Sequence, residues 1–346
     1  DTGALTAMTT VIPLAEAMPA AERILAHTAE VRRVTDAFLM PGEVTIAVEF
    51  SGLNFKDGLA IAGRPGVARV SPLIPGIDIV GVVEESADER WRPGDRVVLN
   101  GDGAGETQHG GLAERARVRG DALVRVPDTL TAEQAAAIGT AGFTAMLSVL
   151  ALERNGVDPV AVRDEGLSVL VTGAAGGVGS VAIGILAKLG YPVTASTGRV
   201  AQQSDYLTGL GADAIIDRAE LADPGRPLQT QRWAGVVDVV GSHTLANALA
   251  QTRYGGTVTA CGLAQGPELP ATVMPFILRA VTLVGINSVE APLAMRETVW
   301  RRLATDLDTG ALTAMTTVIP LAEAMPAAER ILAGELRGRT VIDVRK

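Results

Sequence analysis

The sequence predicts a two-domain α/β protein, an antiparallel β domain followed by a doubly wound parallel sheet, on three observations. Its 346 residues suit two domains better than one, at roughly 150 residues each. Residues 43–126 are rich in β-branched side chains and punctuated by Gly, Pro and Asp, the pattern of short antiparallel strands. Residues 167–288 instead alternate strand-like with helix-like segments, and a glycine-rich turn opens the series.

In the first domain, Val44–Val48, Ile79–Val83, Arg96–Leu99 and Leu123–Val126 read as strands. Thr131-Ala-Glu-Gln offers a capping box, and helical spacing runs from Ala135 to Leu152 apart from a break at Gly139–Gly142. The alternating part then gives strands at Leu167–Thr172, Pro192–Ser196, Ala214–Ile216, Val236–Val240, Thr257–Cys261 and Thr282–Ile286. Helices fall between them at Val178–Leu189, Gln202–Leu210 and Thr244–Gln251. Near the end, Leu312–Leu321 reads as a strand and Pro326 begins a helix to Leu332. Gly334 stops that helix, and Thr340–Val344 is a closing strand. The predicted domains are 27–138 with 312–346, and 139–311.

Hydrophobic residues make up 47% and charged ones 20%, enough apolar surface for a packed core. With 30 basic and 39 acidic residues, a net charge of −9 and no basic run, nucleic acid and anionic membrane are excluded as main partners. Cys261 is the single cysteine, which forbids an internal disulfide and suits a reducing, cytoplasmic setting. Nothing at the N-terminus reads as an export signal. The uncharged stretch Leu167–Ala187 has the ~20 residues needed to cross a bilayer. Its glycines divide it into strand, turn and helix, which suits a soluble βα unit.

Residues 1–26 repeat residues 308–333 without a change. Identity without divergence, and without a third copy, excludes a solenoid. The plainer reading is an artefact of cloning or sequence assembly; the functional one is a swapped or regulatory segment. If both copies exist in one molecule, they are expected to compete for one structural slot.

The chemistry concentrates in Leu167-Ser-Val-Leu-Val-Thr-Gly173-Ala-Ala175-Gly176-Gly177-Val178-Gly179. Gly173 and Gly176 let the backbone turn tightly and approach a pyrophosphate, while Gly179 lets the helix pack closely on the strand. The N–H groups around Ala175, Gly177 and Val178, at the positive end of the helix, then hold phosphate. A dehydrogenase that prefers NAD usually places an acid about 20 residues on, at the ribose. Here that stretch is Thr194-Ala-Ser196-Thr197-Gly198-Arg199, without an acid. Arg199 can fork onto a 2′-phosphate with the Ser196 and Thr197 hydroxyls beside it, which predicts NADPH. Otherwise Arg199 is a solvated loop residue.

This order of parts resembles the medium-chain dehydrogenase/reductase superfamily, in which a GroES-like domain precedes a Rossmann domain. Zinc members carry a Cys ligand, a Gly-His-Glu motif and often clustered structural cysteines. This chain has Pro75-Gly-Ile-Asp78 at that place, and His27, His109 and His243 form no metal spacing, so no metal is expected. The segments Leu53-Asn-Phe-Lys-Asp-Gly58, Ile74-Pro-Gly-Ile-Asp78, His109-Gly-Gly-Leu-Ala-Glu114 and Ile138-Gly-Thr140 resemble the zinc-free, quinone-oxidoreductase-like branch. So do Ser196-Thr-Gly-Arg199 with Tyr206, Tyr254-Gly-Gly256, Ala260-Cys-Gly-Leu263 and Met274-Pro-Phe-Ile-Leu-Arg279. Within that branch the chain is similar to bacterial NADPH-dependent acrylyl-CoA reductases. Two departures stand out: Phe55 replaces the family's usual Tyr, and the duplicated segment replaces its opening strand.

The resemblance implies that Asn54 and Thr140 lie near the nicotinamide, and Arg199 and Tyr206 near the 2′-phosphate. It also brings Arg339 of the returning C-terminus toward the cofactor. Cys261, Gly262 and Leu263 would line the cofactor cleft. From the residues alone, Asn54 can equally be a turn former, and Lys56 reads evenly as a catalytic cation or a surface charge. Asp57 suits helix capping better than positioning Lys56, Asp78 suits a buried structural role, and His109 reads as shaping the Gly110–Gly111 turn. The expected reaction is reduction of acrylyl-CoA to propionyl-CoA by hydride transfer to the β-carbon. The alternatives are an NADPH:quinone oxidoreductase and a non-enzymatic NADPH-binding protein. A homodimer pairing through Thr282–Ile286 is implied as well.

Overall fold

A computed structural model describes residues 4–11 and 28–346, with side chains from residue 29 onward. The strands, in chain order, are β1 (Ala4–Val11), β2 (Thr28–Thr35), β3 (Val44–Leu53), β4 (Asp78–Ser86), β5 (Arg96–Asn100), β6 (Arg115–Val118) and β7 (Val124–Arg125). They continue as β8 (Ser168–Val171), β9 (Val193–Thr197), β10 (Ala214–Asp217), β11 (Trp233–Asp238), β12 (Thr252–Ala260), β13 (Thr282–Gly285), β14 (Thr316–Pro320) and β15 (Arg339–Asp343). The helices used below are α1 (Phe55–Ile61), α2 (Ala132–Arg154), α3 (Gly177–Lys188), α4 (Val200–Gly209), α5 (Ser242–Gln251), α6 (Met274–Arg279), α7 (Leu293–Asp306), α8 (Thr309–Ala314) and α9 (Ala324–Leu332).

Two compact units emerge, one of Asp1–Thr140, Ser288–Ala304 and Thr313–Lys346, the other of Ala141–Asn287 and Thr305–Leu312. In the first unit the sheet runs β14-β15-β3-β4-β5-β7, with β6 also on β3, and every pair except β14–β15 is antiparallel. Its core joins Ile46, Val48, Leu53, Ile79, Val97, Leu99, Leu112 and Ile342. Residues 288–304 were expected in the second domain, but they group with the first. Arg296 Nη1 donates to the Asn100 carbonyl at 2.7 Å, and Trp300 Nε1 donates to Asn100 Oδ1 at 3.1 Å, so polar contacts to β5 hold α7 there.

The second unit is a six-stranded parallel sheet in the order β10-β9-β8-β11-β12-β13. β8, β9 and β11 are almost wholly buried, which explains the apolar runs of β8 and β11 and the absence of charge from β9. The stretch Leu167–Ala187 resolves into β8, the glycine turn and α3. Among the described residues, α2 alone is long and apolar enough to cross a membrane. Of its apolar window, 89% is buried inside the protein, as in a core helix.

The predicted strand Leu312–Leu321 is corrected. Asp308 Oδ1 accepts from the backbone N–H groups of Gly310 at 2.7 Å and Ala311 at 3.0 Å, which starts α8, so the strand begins only at Thr316. The two identical segments take different places where both are described. Ala4–Val11 pairs antiparallel with β2, while its copy Ala311–Val318 runs through α8 into β14. Ala-Leu-Thr-Ala is therefore strand at 4–7 and helix at 311–314. The rest of the 1–26 expectation falls on residues 1–3 and 12–26, outside the described residues.

Candidate active site

In the second unit, strand order reverses between β8 and β11, and in open parallel sheets the crevice beside such a reversal takes the ligand. The turn 173–179 follows β8 at that place. Gly173 has φ +56°, and a Cβ there would strike the Val239 side chain at the end of β11. A Cβ on Gly179 would come within 2.5 Å of the Gly173 carbonyl oxygen, so α3 can press onto the turn only with glycine at 179. At Gly176 a Cβ would meet only Gly173 O, at 3.3 Å, and the residue faces outward. No side chain caps α3, so its first N–H groups have no side-chain acceptor. An open backbone cradle at a helix's positive end fits a pyrophosphate.

Neighbouring strand ends converge on the turn. Thr172 Oγ1 donates to Asp238 Oδ1 at 2.7 Å and accepts from Val239 N–H at 3.0 Å, tying β8 to β11. Asp238 Oδ2 accepts from Gly241 N–H at 2.8 Å, and burial holds this carboxyl above its ordinary range. Cys261, Gly262 and Leu263 follow β12; Gly262 lies against the Val239 backbone, and Leu263 is exposed. Cys261 Sγ donates to the Asp238 carbonyl at 3.3 Å. Burial and then the charge of Asp238 push its thiol up to about 12, so it is no nucleophile at neutral pH.

Ser196 and Thr197 are buried at the end of β9, and Arg199 is exposed beyond them. Tyr206 on α4 donates to Ser180 Oγ at 2.9 Å, which carries its ring to the first turn of α3. Sequence reasoning overlooked Arg218, which follows β10 and packs on Gly198. Only the parallel pairing of β9 with β10 reveals that neighbour.

The first unit holds a buried polar cluster around Asp78. Its Oδ1 accepts from Asn100 Nδ2 at 2.7 Å, Thr140 N–H at 2.8 Å and Thr140 Oγ1 at 2.7 Å. Its Oδ2 accepts from Asn54 Nδ2 at 2.8 Å, with Arg339 Nη2 at 3.9 Å. Gly139, inside the predicted break of α2, has φ +47°, and a Cβ there would strike Asp78 Oδ2. Asp57 completes a capping box at α1, accepting from Asn54 N–H at 2.7 Å, and from Ile77 N–H at 2.9 Å. Burial first, and the nearby Asp78 second, push Asp57 up to about 7.

Asn54 and Thr140, predicted from separate motifs, thus meet on one carboxylate, and Arg339 joins them. Asn54 is saturated: Nδ2 also donates to Gly52 O at 3.1 Å, and Oδ1 accepts from Arg339 Nη1 at 3.4 Å. Arg339 is buried, with Nε on Ala137 O at 2.6 Å. Lys56 does not join the cluster; its Nζ pairs with Glu106 Oε1 at 2.8 Å. His109 also stays apart. Its Nδ1 accepts from Ile74 N–H at 3.1 Å, so Nε2–H donates to Phe38 O at 3.0 Å, and burial lowers its basicity. Asn100, the link from Asp78 to Trp300, carried no sequence signal beyond ending a strand.

Two family models match the chain: the alcohol dehydrogenase GroES-like domain over residues 40–128 and the zinc-binding dehydrogenase over 177–305. The chain is 51% identical to the acrylyl-CoA reductase AcuI of Ruegeria pomeroyi, covering 91% of this chain and 94% of that one. It is 42% identical to the putative quinone oxidoreductase YhfP of Bacillus subtilis, covering 97% and 99%. The solved structure of the yhdH oxidoreductase from Salmonella enterica in complex with NADP superposes with a TM-score of 0.91 at 45% identity, covering 98% and 99%.

Proposed function

The chain belongs to the medium-chain dehydrogenase/reductase superfamily, in its quinone-oxidoreductase-like branch with the acrylyl-CoA reductases, and from that premise we propose that it reduces a short 2-enoyl-CoA with NADPH. Acrylyl-CoA is the first choice of substrate and propionyl-CoA the product. The observation that carries this reading is the near end-to-end match to an acrylyl-CoA reductase. NADPH, when bound, supplies a hydride for the β-carbon, and negative charge then gathers on the thioester oxygen.

The chain's own residues do the holding. The N–H groups of the 173–179 turn and of α3 would hold the pyrophosphate. Arg199, Ser196, Thr197 and Tyr206 would hold the 2′-phosphate, and Cys261, Gly262 and Leu263 would line the cleft as inert packing. Thr140 donates its hydroxyl proton to Asp78, so toward a ligand its oxygen acts as an acceptor. Asn54 and Arg339, spent on one another and on Asp78, serve as positioning residues. Lys56, neutralised by Glu106, steadies its loop.

The reaction is proposed to run without zinc. The donor set does not fit that ion: no group of three metal-ligating side chains occurs among the described residues, and hydrogen bonds from Asn54, Asn100 and Thr140 occupy both Asp78 oxygens. A cytoplasmic homodimer is part of the same proposal. β13 is an edge strand, and Val273, Met274, Ile277 and Leu278 on and beside α6 are exposed apolar residues suited to a second copy. Sedimentation of Ile277→Asp against the parent protein tests it, and an unchanged monomer in both would overturn it.

Steady-state assays with acrylyl-CoA and with quinones, each with NADPH and NADH, test the activity. Quinone reduction without acrylyl-CoA turnover would favour the second reading, which the match to a putative quinone oxidoreductase supports. Tight NADPH binding with neither turnover would leave a cofactor-binding protein.

A further inference from the structure

Resting on the NADPH reading, the structure assigns Arg218 as a second guanidinium for the adenosine 2′-phosphate, opposite Arg199. Arg218 follows β10, and its backbone N–H donates to Thr197 O at 3.0 Å, which seats the residue at the end of β9. A Cβ built on Gly198 would lie 2.7 Å from Arg218 Cδ and 2.8 Å from its Cζ, so the arginine side chain covers the backbone between Thr197 and Arg199. The two arginines therefore flank a single glycine.

Neither guanidinium has a carboxylate partner among the described residues, although both are exposed. The acids nearest in sequence are committed elsewhere. Asp217 Oδ1 accepts from Ala219 N–H at 2.9 Å, and Glu220 pairs with Arg232 at 3.0 Å. Two unneutralised arginines at the end of β9 match a phosphate monoester, which offers three oxygens and about two negative charges. One arginine cannot satisfy that dianion, and two on either side of Gly198 can. Gly198 is then required for space: any side chain there would push Arg218 off the loop.

The probes are 2′,5′-ADP, which carries the 2′-phosphate, and 5′-ADP, which lacks it, each titrated calorimetrically into the full chain. Arg218→Gln is expected to weaken 2′,5′-ADP about tenfold and leave 5′-ADP unchanged. Arg218→Lys should recover part of the loss, because charge returns without the fork. Gly198→Ala should weaken 2′,5′-ADP selectively with no charge removed. Parent-level affinity of Arg218→Gln for 2′,5′-ADP, or equal losses for both probes, would overturn the assignment while leaving NADPH use standing. A parent protein that binds both probes equally would overturn the assignment and the NADPH reading together.

Discussion

Removing the charge of Asp78 tests the first unit's polar centre most directly. Asp78 and Arg339 are both buried and lie 3.9 Å apart, a separation worth about 4 kcal/mol at an effective dielectric near 20. Asp78→Asn keeps the shape, but it turns one acceptor into a donor facing other donors and leaves Arg339 without its counter-charge. The guanidinium already titrates below its ordinary range through burial, and Nη2 has no hydrogen-bond partner to compensate. The substitution should therefore cost about 3–5 kcal/mol. Arg339→Met should cost less, about 2 kcal/mol, because Asp78 keeps its hydrogen bonds from Asn54, Asn100 and Thr140. The double variant should be more stable than the sum of the single losses predicts, by at least ~1 kcal/mol. Trp91 and Trp300 lie in the first unit and Trp233 in the second, so urea unfolding followed by tryptophan fluorescence in a Trp233→Phe background reports on the first unit. Losses that add to within ~0.5 kcal/mol would refute a coupled pair.

Three further outcomes follow from the same geometry. Arg199→Ala should weaken NADPH about tenfold and leave NADH unchanged in fluorescence titrations, and equal losses would remove the arginine from the phosphate site. Asp57, raised from 3.8 to about 7, adds stability that is complete below pH ~4 and lost as pH rises through 7. Unfolding free energies at pH 4, 5.5 and 7 should therefore fall by up to ~4 kcal/mol in the parent and stay flatter in Asp57→Asn; parallel profiles would refute the assignment. The Cys261 thiol, pushed up to about 12, should be alkylated at pH 8 roughly a thousandfold more slowly than a free thiol, a rate that mass spectrometry reads directly.

The parallel sheet was legible because buried parallel strands spell themselves as apolar runs and glycines mark the first crossover. α7 was not, since its buried face is a short stripe, Val299, Trp300 and Leu303, that carries the charged Arg296, and its polar anchor Asn100 lies far away in the sequence. The duplicated Ala-Leu-Thr-Ala shows the limit of local propensity: preceded by the same Asp-Thr-Gly in both copies, it is helical at 311–314 and extended at 4–7, where it pairs with β2. In the candidate site, Asn54 and Thr140 stood out individually. Asp78 did too, as a buried carboxylate, but that it is their common partner was not legible, because Asn54, Asp78, Asn100, Thr140 and Arg339 meet only after β3, β4, β5, α2 and β15 have assembled. Arg218 stayed hidden for a similar reason, as strand adjacency rather than spacing brings it to Gly198.

β15 sits between β14 and β3 in the first sheet, yet it follows every strand of the second unit in the chain. Until residue 343 emerges, β3 has a bare edge and Asp78 lacks Arg339. The second unit can therefore mature while the first still waits for this clasp. Removing residues 339–346 would strand the first unit in an incomplete, aggregation-prone form, whereas the second unit would already be whole.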